Sequence, residues 1–314
     1  MVSSERSHVP VLVDEVVRLL ATRPNGAYLD LTVGGGGHLR ALSGRLDSQA
    51  RLYGIDRDPE AAATARISLA ELPQRVTIVN ASYAEAEAVA ADLGDALFDG
   101  ILLDLGLSSL QLDDPDRGFT YRFDGPLDMR FDPQSGDPTA ADLINSLEEK
   151  ELVHLLRTYG EESRARRLAE AIVRERRARM VVTTRQLADI VERIVPHRDL
   201  NKSLARVFQA FRIAVNRELE TLEAALPRLI ELLTAGGRLA VISYHSLEDR
   251  LGKRLFQFEA KGCICPPESP VCICGHTPRL RAVTRRPVVP TAVEIANNSR
   301  ARSAKLRVAE RLGA

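Results

Sequence analysis

The chain has 314 residues, of which 45% are hydrophobic and 27% are charged, in the proportions of a soluble globular protein with one large domain or two. No apolar run approaches the length of a membrane span, which argues against an integral membrane protein and against a membrane partner. Charged residues interrupt the N-terminal stretch MVSSERSHVPVLVDEVV, so we expect no export signal and a cytoplasmic location.

The net charge of zero conceals a segregation of charge along the chain. Residues 80–149 contain sixteen Asp and Glu against three Arg, whereas residues 157–217 contain fifteen Lys and Arg against seven acids. The tail, 276–314, contains nine basic residues against two acids. Two basic regions favour an anionic macromolecule such as nucleic acid as partner, and solvated arginine-rich helix faces are the alternative.

Strand and helix patterns alternate over the first hundred residues. Repeated β-α-β units of this spacing predict a parallel sheet with helices on both faces. The strand candidates are Tyr28–Thr32, Arg51–Asp56, Val76–Asn80 and Gly100–Asp104, and the helix candidates are Leu39–Leu46, Pro59–Leu69 and Tyr83–Leu93. Ligands of such sheets bind at the carboxyl ends of the strands, where Asp30, Asp56 and Asp104 fall, so we expect three acids in one crevice.

The first strand leads into four consecutive glycines in YLDLTVGGGGH, Tyr28 to His38. Asp56 ends the next strand, nineteen residues after Gly37, where an acid can hydrogen-bond ribose hydroxyls. Leu39 occupies the place of the third glycine of a dinucleotide fingerprint, so the pattern favours S-adenosylmethionine over a dinucleotide. A glycine-rich turn with no ligand is the alternative.

Residues 105–138 have no helical or strand period but contain five aromatic or methionine side chains, so we interpret them as an ordered loop over the active site. From Thr139 to about Arg212 the pattern is helical. One stretch within it has an apolar face, with Arg164, Arg167, Arg174 and Arg177 on the opposite face.

The sheet pattern then resumes. The candidates are the helix Ala214–Leu233 and the strands Arg238–Ser243, Arg281–Arg286 and Lys305–Glu310. Seven strands in this order fit an α/β fold, the class I S-adenosylmethionine-dependent methyltransferase sheet, whose last strand is antiparallel. We therefore predict a discontinuous methyltransferase domain, 1–138 and 213–314, with an inserted all-helical domain, 139–212, that binds RNA.

Eight motifs occur in order from residue 8 to residue 307: HVPVLVDEVV, GGGGH, IDRDPEA, DGILLDLGLSSLQLDDPDRGFTYRFDGPLDMR, TYGEE, RVFQAFRIAVNREL, GGRLAVISYHSLEDR and RARSAKLR. Together they closely resemble the bacterial ribosomal RNA small-subunit methyltransferase H family. The resemblance implies S-adenosylmethionine-dependent methylation of the exocyclic amine of a cytidine in the decoding centre of 16S rRNA, within the small ribosomal subunit. It places the cofactor on Gly36, Gly37, His38, Asp56, Tyr83, Asp104 and Gln111.

A cytosine amine is a poor nucleophile, so its methylation needs a positioned hydrogen-bond acceptor that draws its proton. Asp104 is the first candidate by position, although its cofactor role competes. His245 and Asp128, in two other motifs, follow. His245, which precedes the possible helix cap Ser246, has a second interpretation, in which it only orients the loop. The catalytic residues we predict are Asp104 and His245.

The four cysteines form two C-x-C pairs separated by six residues, Cys263, Cys265, Cys272 and Cys274, with His276 nearby. Paired zinc ligands usually have two to four residues between them, whereas each pair here has one. The spacing therefore leaves a zinc site, a loop of reduced cysteines and an oxidised pair all open. We assign no metal ligand from the sequence.

Two other functions remain possible on sequence alone. One is a non-catalytic RNA-binding protein that retains the methyltransferase fold, which the glycine run and Asp56 disfavour. The other is a nicotinamide-dependent dehydrogenase, which Leu39 disfavours. The sequence indicates no oligomeric state.

Overall fold

A computed structural model describes residues 10–94, 97–266, 269 and 271–313 of the chain. The first two residues of the HVPVLVDEVV motif therefore lie outside the described residues. The chain divides into two compact units. We call Met1–Gly106 with Thr221–Ala314 the sheet unit, and Leu107–Glu220 the helical unit.

Within the described residues the chain forms seven strands and thirteen α-helices. The strands are β1 (Ala27–Asp30), β2 (Arg51–Asp56), β3 (Arg75–Asn80), β4 (Phe98–Asp104), β5 (Leu233–Ser243), β6 (Leu280–Ala282) and β7 (Lys305–Arg311). The helices are α1 (Val13–Leu20), α2 (Gly37–Ser43), α3 (Pro59–Ser68), α4 (Ala86–Leu93), α5 (Ser109–Asp113), α6 (Ala140–Ser146), α7 (Glu149–Thr158), α8 (Ala165–Ala178), α9 (Thr184–Ile194), α10 (His197–Asn216), α11 (Glu218–Glu231), α12 (Ser246–Glu259) and α13 (Ala292–Asn297). None of these helices is both long and apolar enough to cross a bilayer.

The seven strands form one sheet in the order β3-β2-β1-β4-β5-β7-β6. Strands β1 to β5 pair in parallel, and β7 is antiparallel to both of its neighbours. Parallel strands need crossover connections, which helices provide after β1, β2 and β3. The order and the single reversed strand confirm the predicted class I methyltransferase fold.

Side chains of the central strands alternate between two hydrophobic clusters, as the two-residue period of a strand requires. Leu29 and Ile101 belong to one cluster, together with α4 and α11. Tyr28 and Leu102 belong to the other, together with α1 and α2. Because both faces are covered, the strands are almost entirely apolar, and polar side chains accumulate at their ends.

The helical unit has a hydrophobic core of its own, to which α6 to α10 contribute. Phe119 and Met129 are buried in this core, and Tyr121 and Phe131 pack against it, whereas Phe123 is exposed. The core thus accounts for four of the five aromatic or methionine side chains of the segment 105–138. The compact unit therefore starts at Leu107 and ends at Glu220, beyond both bounds of the predicted insertion, 139–212. The location of this segment over the active site stays a prediction.

Four elements differ clearly from their prediction, and the first is β5, which begins at Leu233 and not at Arg238. The helix Ala214–Leu233 is wrong, because Arg217 takes a left-handed backbone conformation (φ 52°) that separates α10 from α11. The strand Arg281–Arg286 is shorter, because the amides of Val283 and Thr284 both donate to the carbonyl of Val308 and end the ladder. The segment 105–138 is not wholly irregular, since it contains α5 and a 3-10 turn, Pro115–Arg117.

Candidate active site

The ends of three adjacent strands bring together Asp30, Asp56 and Asp104, which we call the acid cluster. Strand β1 lies between β2 and β4, and all three strands point in the same direction. The negative charges of Asp104 and Asp56 both raise the pKa of Asp30, which shows that the three carboxyls are close in space. The sheet unit therefore brings the three acids together at its carboxyl edge, as predicted.

Asp104 is the centre of a hydrogen-bond network. Its Oδ2 lies 3.2 Å from Nε2 of His38, and its Oδ1 accepts a hydrogen bond of 2.9 Å from the hydroxyl of Tyr244. Its backbone amide donates to Oγ1 of Thr32 at 2.7 Å. The carboxylate is thus fixed from both sides, while a fifth of the side chain stays exposed to solvent.

Tyr244 is a functional candidate that the sequence analysis missed. It follows the last residue of β5, and β5 pairs with β4 as far as Asp104. Burial raises the pKa of Tyr244 well above its usual value, and the charge of Asp104 and its hydrogen bond act in the same direction. Tyr244 therefore stays a protonated donor. The available signal was a hydroxyl at the end of the next strand of the sheet.

Asp30 is almost completely buried, with 1% of its surface exposed. Its Oδ1 accepts a hydrogen bond of 3.1 Å from the amide of Thr32, whereas its Oδ2 has no hydrogen-bond partner within the described residues. Burial raises the pKa of Asp30 to about 7, against the opposing effects of His38 and of the Thr32 amide. Near neutral pH this carboxyl is therefore partly protonated and partly ionised.

His38 is buried between the acids. Burial lowers its pKa, but the hydrogen bond and charge of Asp104, with the charge of Asp30, outweigh burial, so that the net pKa is raised. Its Nδ1 has no hydrogen-bond partner within the described residues. This location is compatible with the predicted cofactor site. The contact that the structure shows for His38 is the one that positions Asp104, and its cofactor contact stays a prediction.

Asp56 closes the turn that follows β2. Its Oδ2 accepts from the amide of Gly34 at 2.8 Å and its Oδ1 from the amide of Asp58 at 2.9 Å. The first contact ties the glycine run to the end of β2, and the second lies in the turn that leads into α3. The position of Asp56 at the end of β2 is the one at which an acid of a parallel sheet can accept from the two ribose hydroxyls of a nucleotide-type ligand.

The glycines after β1 have local reasons as well as room for a ligand. Gly36 has φ 86° and precedes the first residue of α2. A side chain on Gly37 would collide with the ring of Pro10. Leu39 is fully buried in the core beneath the sheet, where a dinucleotide fingerprint would have its third glycine. The packing therefore agrees with the exclusion of a dinucleotide site.

Two further residues implied by the resemblance lie in different units. Tyr83 begins a 3-10 turn directly after β3 and is half-buried in the sheet unit. Gln111 lies in α5 of the helical unit. Its side-chain oxygen accepts from the backbone amide of Ser108 at 3.0 Å, and its backbone amide donates to the hydroxyl of Ser108. Gln111 thus has a capping function, and its cofactor contact stays a prediction.

His245 is the N-terminal cap of α12, in place of the predicted Ser246. Its Nδ1 lies 3.4 Å from the amide of Glu248, whose carboxylate accepts from the amide of Tyr244 at 2.9 Å. Nε2 of His245 lies 3.0 Å from Glu248 Oε1, but the geometry does not make a hydrogen bond. These contacts support the interpretation in which His245 orients the loop that carries Tyr244.

Asp128 belongs to the helical unit and is held by Arg130. The guanidinium donates to both carboxylate oxygens, at 2.9 and 2.7 Å, and the amide of Arg130 donates to Oδ1 at 3.0 Å. Such a bidentate pair holds the carboxylate in one orientation, toward the guanidinium. Among the three acceptor candidates, the geometry therefore favours Asp104.

Comparison with known proteins shows the family of this chain. The profile of the MraW methylase family matches residues 5–312. A protein of Heliobacterium modesticaldum named ribosomal RNA small subunit methyltransferase H is 48% identical over 309 residues, which cover 97% of this chain and 98% of that protein. Proteins with the same name are 50% identical in Thermomicrobium roseum, over 98% of this chain and 94% of that protein, and 46% identical in Heliobacterium mobile, over 98% and 100%. With a match over nearly the whole chain, this protein belongs to the MraW methylase family.

Proposed function

We propose that this chain transfers a methyl group from S-adenosylmethionine to the exocyclic amine of a cytidine in the decoding centre of 16S rRNA, within the small ribosomal subunit. The observation that carries the proposal is the Asp104 carboxylate, held by His38 and Tyr244 at the end of β4 in a class I methyltransferase sheet. Family membership and the relatives' names support the rRNA substrate. A ribosomal substrate also supports a cytoplasmic location.

The residues at the strand ends fit S-adenosylmethionine. Asp56 offers carboxylate oxygens to a ribose diol, and Tyr83 offers a ring to adenine. Buried acids at the edge of the sheet suit a ligand with positively charged ammonium and sulfonium groups. Asp30, whose Oδ2 has no hydrogen-bond partner in the described part of the chain, adds negative charge to the same edge once it ionises. The bound cofactor supplies an electrophilic methyl group.

Asp104 has the chemistry that the amine requires. The amine lone pair is delocalised into the cytosine ring, and an acceptor that takes an amine hydrogen restores its nucleophilicity. The Asp104 side chain is fixed by two donors yet partly exposed, so it can accept a third hydrogen bond. His38 and Tyr244 hold this carboxylate in place, which orients the acceptor before the substrate arrives.

The helical unit is the proposed RNA-binding part. Arg167, Arg174 and Arg177 of α8 are exposed, whereas Arg164 of the same predicted face is paired with Asp199 at 2.7 Å. Arginines of this kind contact phosphates with little sequence preference. Sequence selection would then come from the site that receives the base.

The decisive experiment is methyl transfer to small ribosomal subunits isolated from a strain that lacks this enzyme. Labelled S-adenosylmethionine, followed by nucleoside digestion and mass spectrometry, should identify N4-methylated cytidine at one decoding-centre position. Subunits from the parent strain are the control, because their site is already methylated. Label on another base, or on ribose oxygen, would contradict the proposal.

A further inference from the structure

The connection between α12 and β6 brings together the four cysteines of the chain. Their sulfur atoms all lie within 4.8 Å of one another, although Cys265 and Cys272 are separated by six residues in sequence. Cys263 and Cys272 are exposed, whereas Cys265 and Cys274 are half-buried. The four thiols therefore form a compact cluster at the protein surface, in the sheet unit and apart from the acid cluster in sequence.

The sulfur separations fit one metal ion better than disulfides. Cys272 Sγ lies 3.5 Å from Cys263, 4.0 Å from Cys265 and 3.6 Å from Cys274, and Cys274 Sγ lies 3.8 Å from Cys263. With Zn–S bonds of about 2.3 Å, the edges of a tetrahedron of sulfurs are about 3.8 Å long. A disulfide needs about 2.0 Å between two sulfurs and would break the symmetry of the group.

Backbone amides point at these sulfurs. Each of three amides lies 3.4 Å from a sulfur, and a fourth lies at 3.5 Å. The pairs, donor first, are Ile264 and Cys274, Cys265 and Cys263, Ile273 and Cys265, and His276 and Cys274. Amide donors stabilise thiolates and offset the negative charge of a tetrathiolate site. Reduced, neutral thiols would gain much less from this arrangement.

Apart from those of the sulfurs, the side-chain contacts in the described part of this loop lie at its base, where the ring of His276 packs against that of Phe258. Arg279 closes its base through two bonds of 2.6 Å to the carboxylate of Glu259. At its tip the large apolar side chains face solvent, with exposures of 41% for Ile264, 69% for Val271 and 88% for Ile273. Apolar burial therefore contributes little at the tip, which is the usual situation where a metal stabilises a small loop.

We propose that Cys263, Cys265, Cys272 and Cys274 bind one Zn²⁺ in a tetrahedral, purely structural site. Binding converts four thiols to thiolates, forms four Zn–S bonds and releases four protons, with no change of oxidation state. Four protein ligands leave no open position for substrate, so the site shapes the loop and does not take part in methyl transfer. The proposal does not depend on the substrate proposed above.

Metal analysis of the full-length protein, purified without chelators, tests the site directly. We expect one zinc per chain, and release of that zinc by a mercurial reagent that consumes four thiols. Replacement by Co²⁺ should give the intense charge-transfer and visible bands of tetrahedral cobalt thiolate. In the double variant Cys263→Ser/Cys272→Ser, the affinity for zinc should fall at least about tenfold. The variant should also become sensitive to trypsin at Lys261.

The matched control is Val271→Ser/Ile273→Ser, which changes the residues beside two of the cysteines and leaves all four sulfurs. It should keep its zinc and its cobalt spectrum. Zinc far below one per chain in the reduced wild-type protein, iron in place of zinc, or a mass loss that shows disulfides would each overturn the assignment. Because titration of the wild type needs no variant, the result stands even if the cysteine variants do not fold.

Discussion

The acid cluster of the sheet unit and the ion pairs of the helical unit use the same residue types in opposite ways. In the helical unit, Asp128 is held by Arg130, and Glu218 is held by both guanidinium nitrogens of Arg212 at 2.8 Å. In the sheet unit, Asp104 contacts His38 and Tyr244, and Asp30 accepts from the amide of Thr32. No arginine pair is described for either acid. The sheet unit also has arginine pairs, such as Arg23–Asp99 and Arg307–Asp249, so the contrast is between the acid cluster and the paired carboxylates of either unit.

An unsatisfied buried atom alone does not mark a functional site. Oε2 of Glu162, in the helical unit, lacks a partner within the described residues, as Oδ2 of Asp30 does. The difference is that Asp30 belongs to a group of titratable residues whose pKa values are shifted by one another. Mutual perturbation at the end of parallel strands is the more informative signal.

The largest expected effect follows from Asp104→Asn. The variant keeps an oxygen for the Tyr244 hydroxyl but loses the ability to accept a proton, so methyl transfer should fall by about 10²- to 10⁴-fold. Single-turnover rates on small subunits measure this. Asp92→Asn, an exposed acid of α4, is the control. A rate within about threefold of wild type would place proton acceptance elsewhere, with His245 as the next candidate.

Asp56→Ala should weaken the binding of S-adenosylmethionine by on the order of 1.5–3 kcal/mol, because a charged acceptor for the ribose is lost. The same change releases the amides of Gly34 and Asp58, so circular dichroism must show that the fold survives. The affinity of Asp56→Asn, which keeps one acceptor oxygen, should lie between that of the wild type and that of Asp56→Ala. Unchanged affinity in calorimetry would remove Asp56 from the cofactor site.

Asp30 makes stability depend on pH. Its pKa is about 7 in the folded protein and near the ordinary value of 3.8 when unfolded. The contribution of Asp30 to the stability of the fold is therefore fully present below about pH 4, and it is lost as the pH rises through about 7. His38, whose folded pKa is also raised, changes stability in the same direction.

Asp30→Asn should therefore be more stable than wild type at pH 8, by on the order of 2 kcal/mol, with a smaller difference at pH 5. Denaturant titrations across this range measure the difference. Thr32 can still donate to the asparagine oxygen, so the local geometry is kept. A constant difference at every pH would show that the charge of Asp30 is not the cause.

Much of the sheet was predictable because its strands are apolar runs that end in acids or glycines. Strand β2 was predicted with both bounds correct. Arg217 was not, since an arginine with positive φ has no local signature and results from packing on both sides of it. The short helix α5 did have a signature, the capping box between Ser108 and Gln111, which the interpretation of an irregular loop overlooked.

The candidate site was predictable residue by residue but not as a network. Asp104 and His38 stood in separate motifs, and no spacing rule joins them to Tyr244, which lies 140 residues after Asp104. The cysteines show the same limit, because two C-x-C pairs do not reveal whether their sulfurs meet. Contacts between distant segments depend on the register of the sheet and the path of its connections, which the sequence specifies only collectively.

The smallest expected effect concerns the helical unit, where exposed and paired arginines can be compared directly. Arg167→Gln/Arg174→Gln/Arg177→Gln should weaken binding to small subunits by at most about tenfold. Each lost phosphate contact should lower the slope of log affinity against log salt by at most about one unit. Binding of S-adenosylmethionine should not change, because the variant residues belong to the other unit.

The control removes three arginines that already have acidic partners: Arg185, Arg193 and Arg217. Because their charge is largely satisfied within the protein, this control should keep the wild-type salt slope. Equal slopes for the two triple variants would show that α8 does not contact RNA and would make the basic residues between 276 and 314 the better candidates.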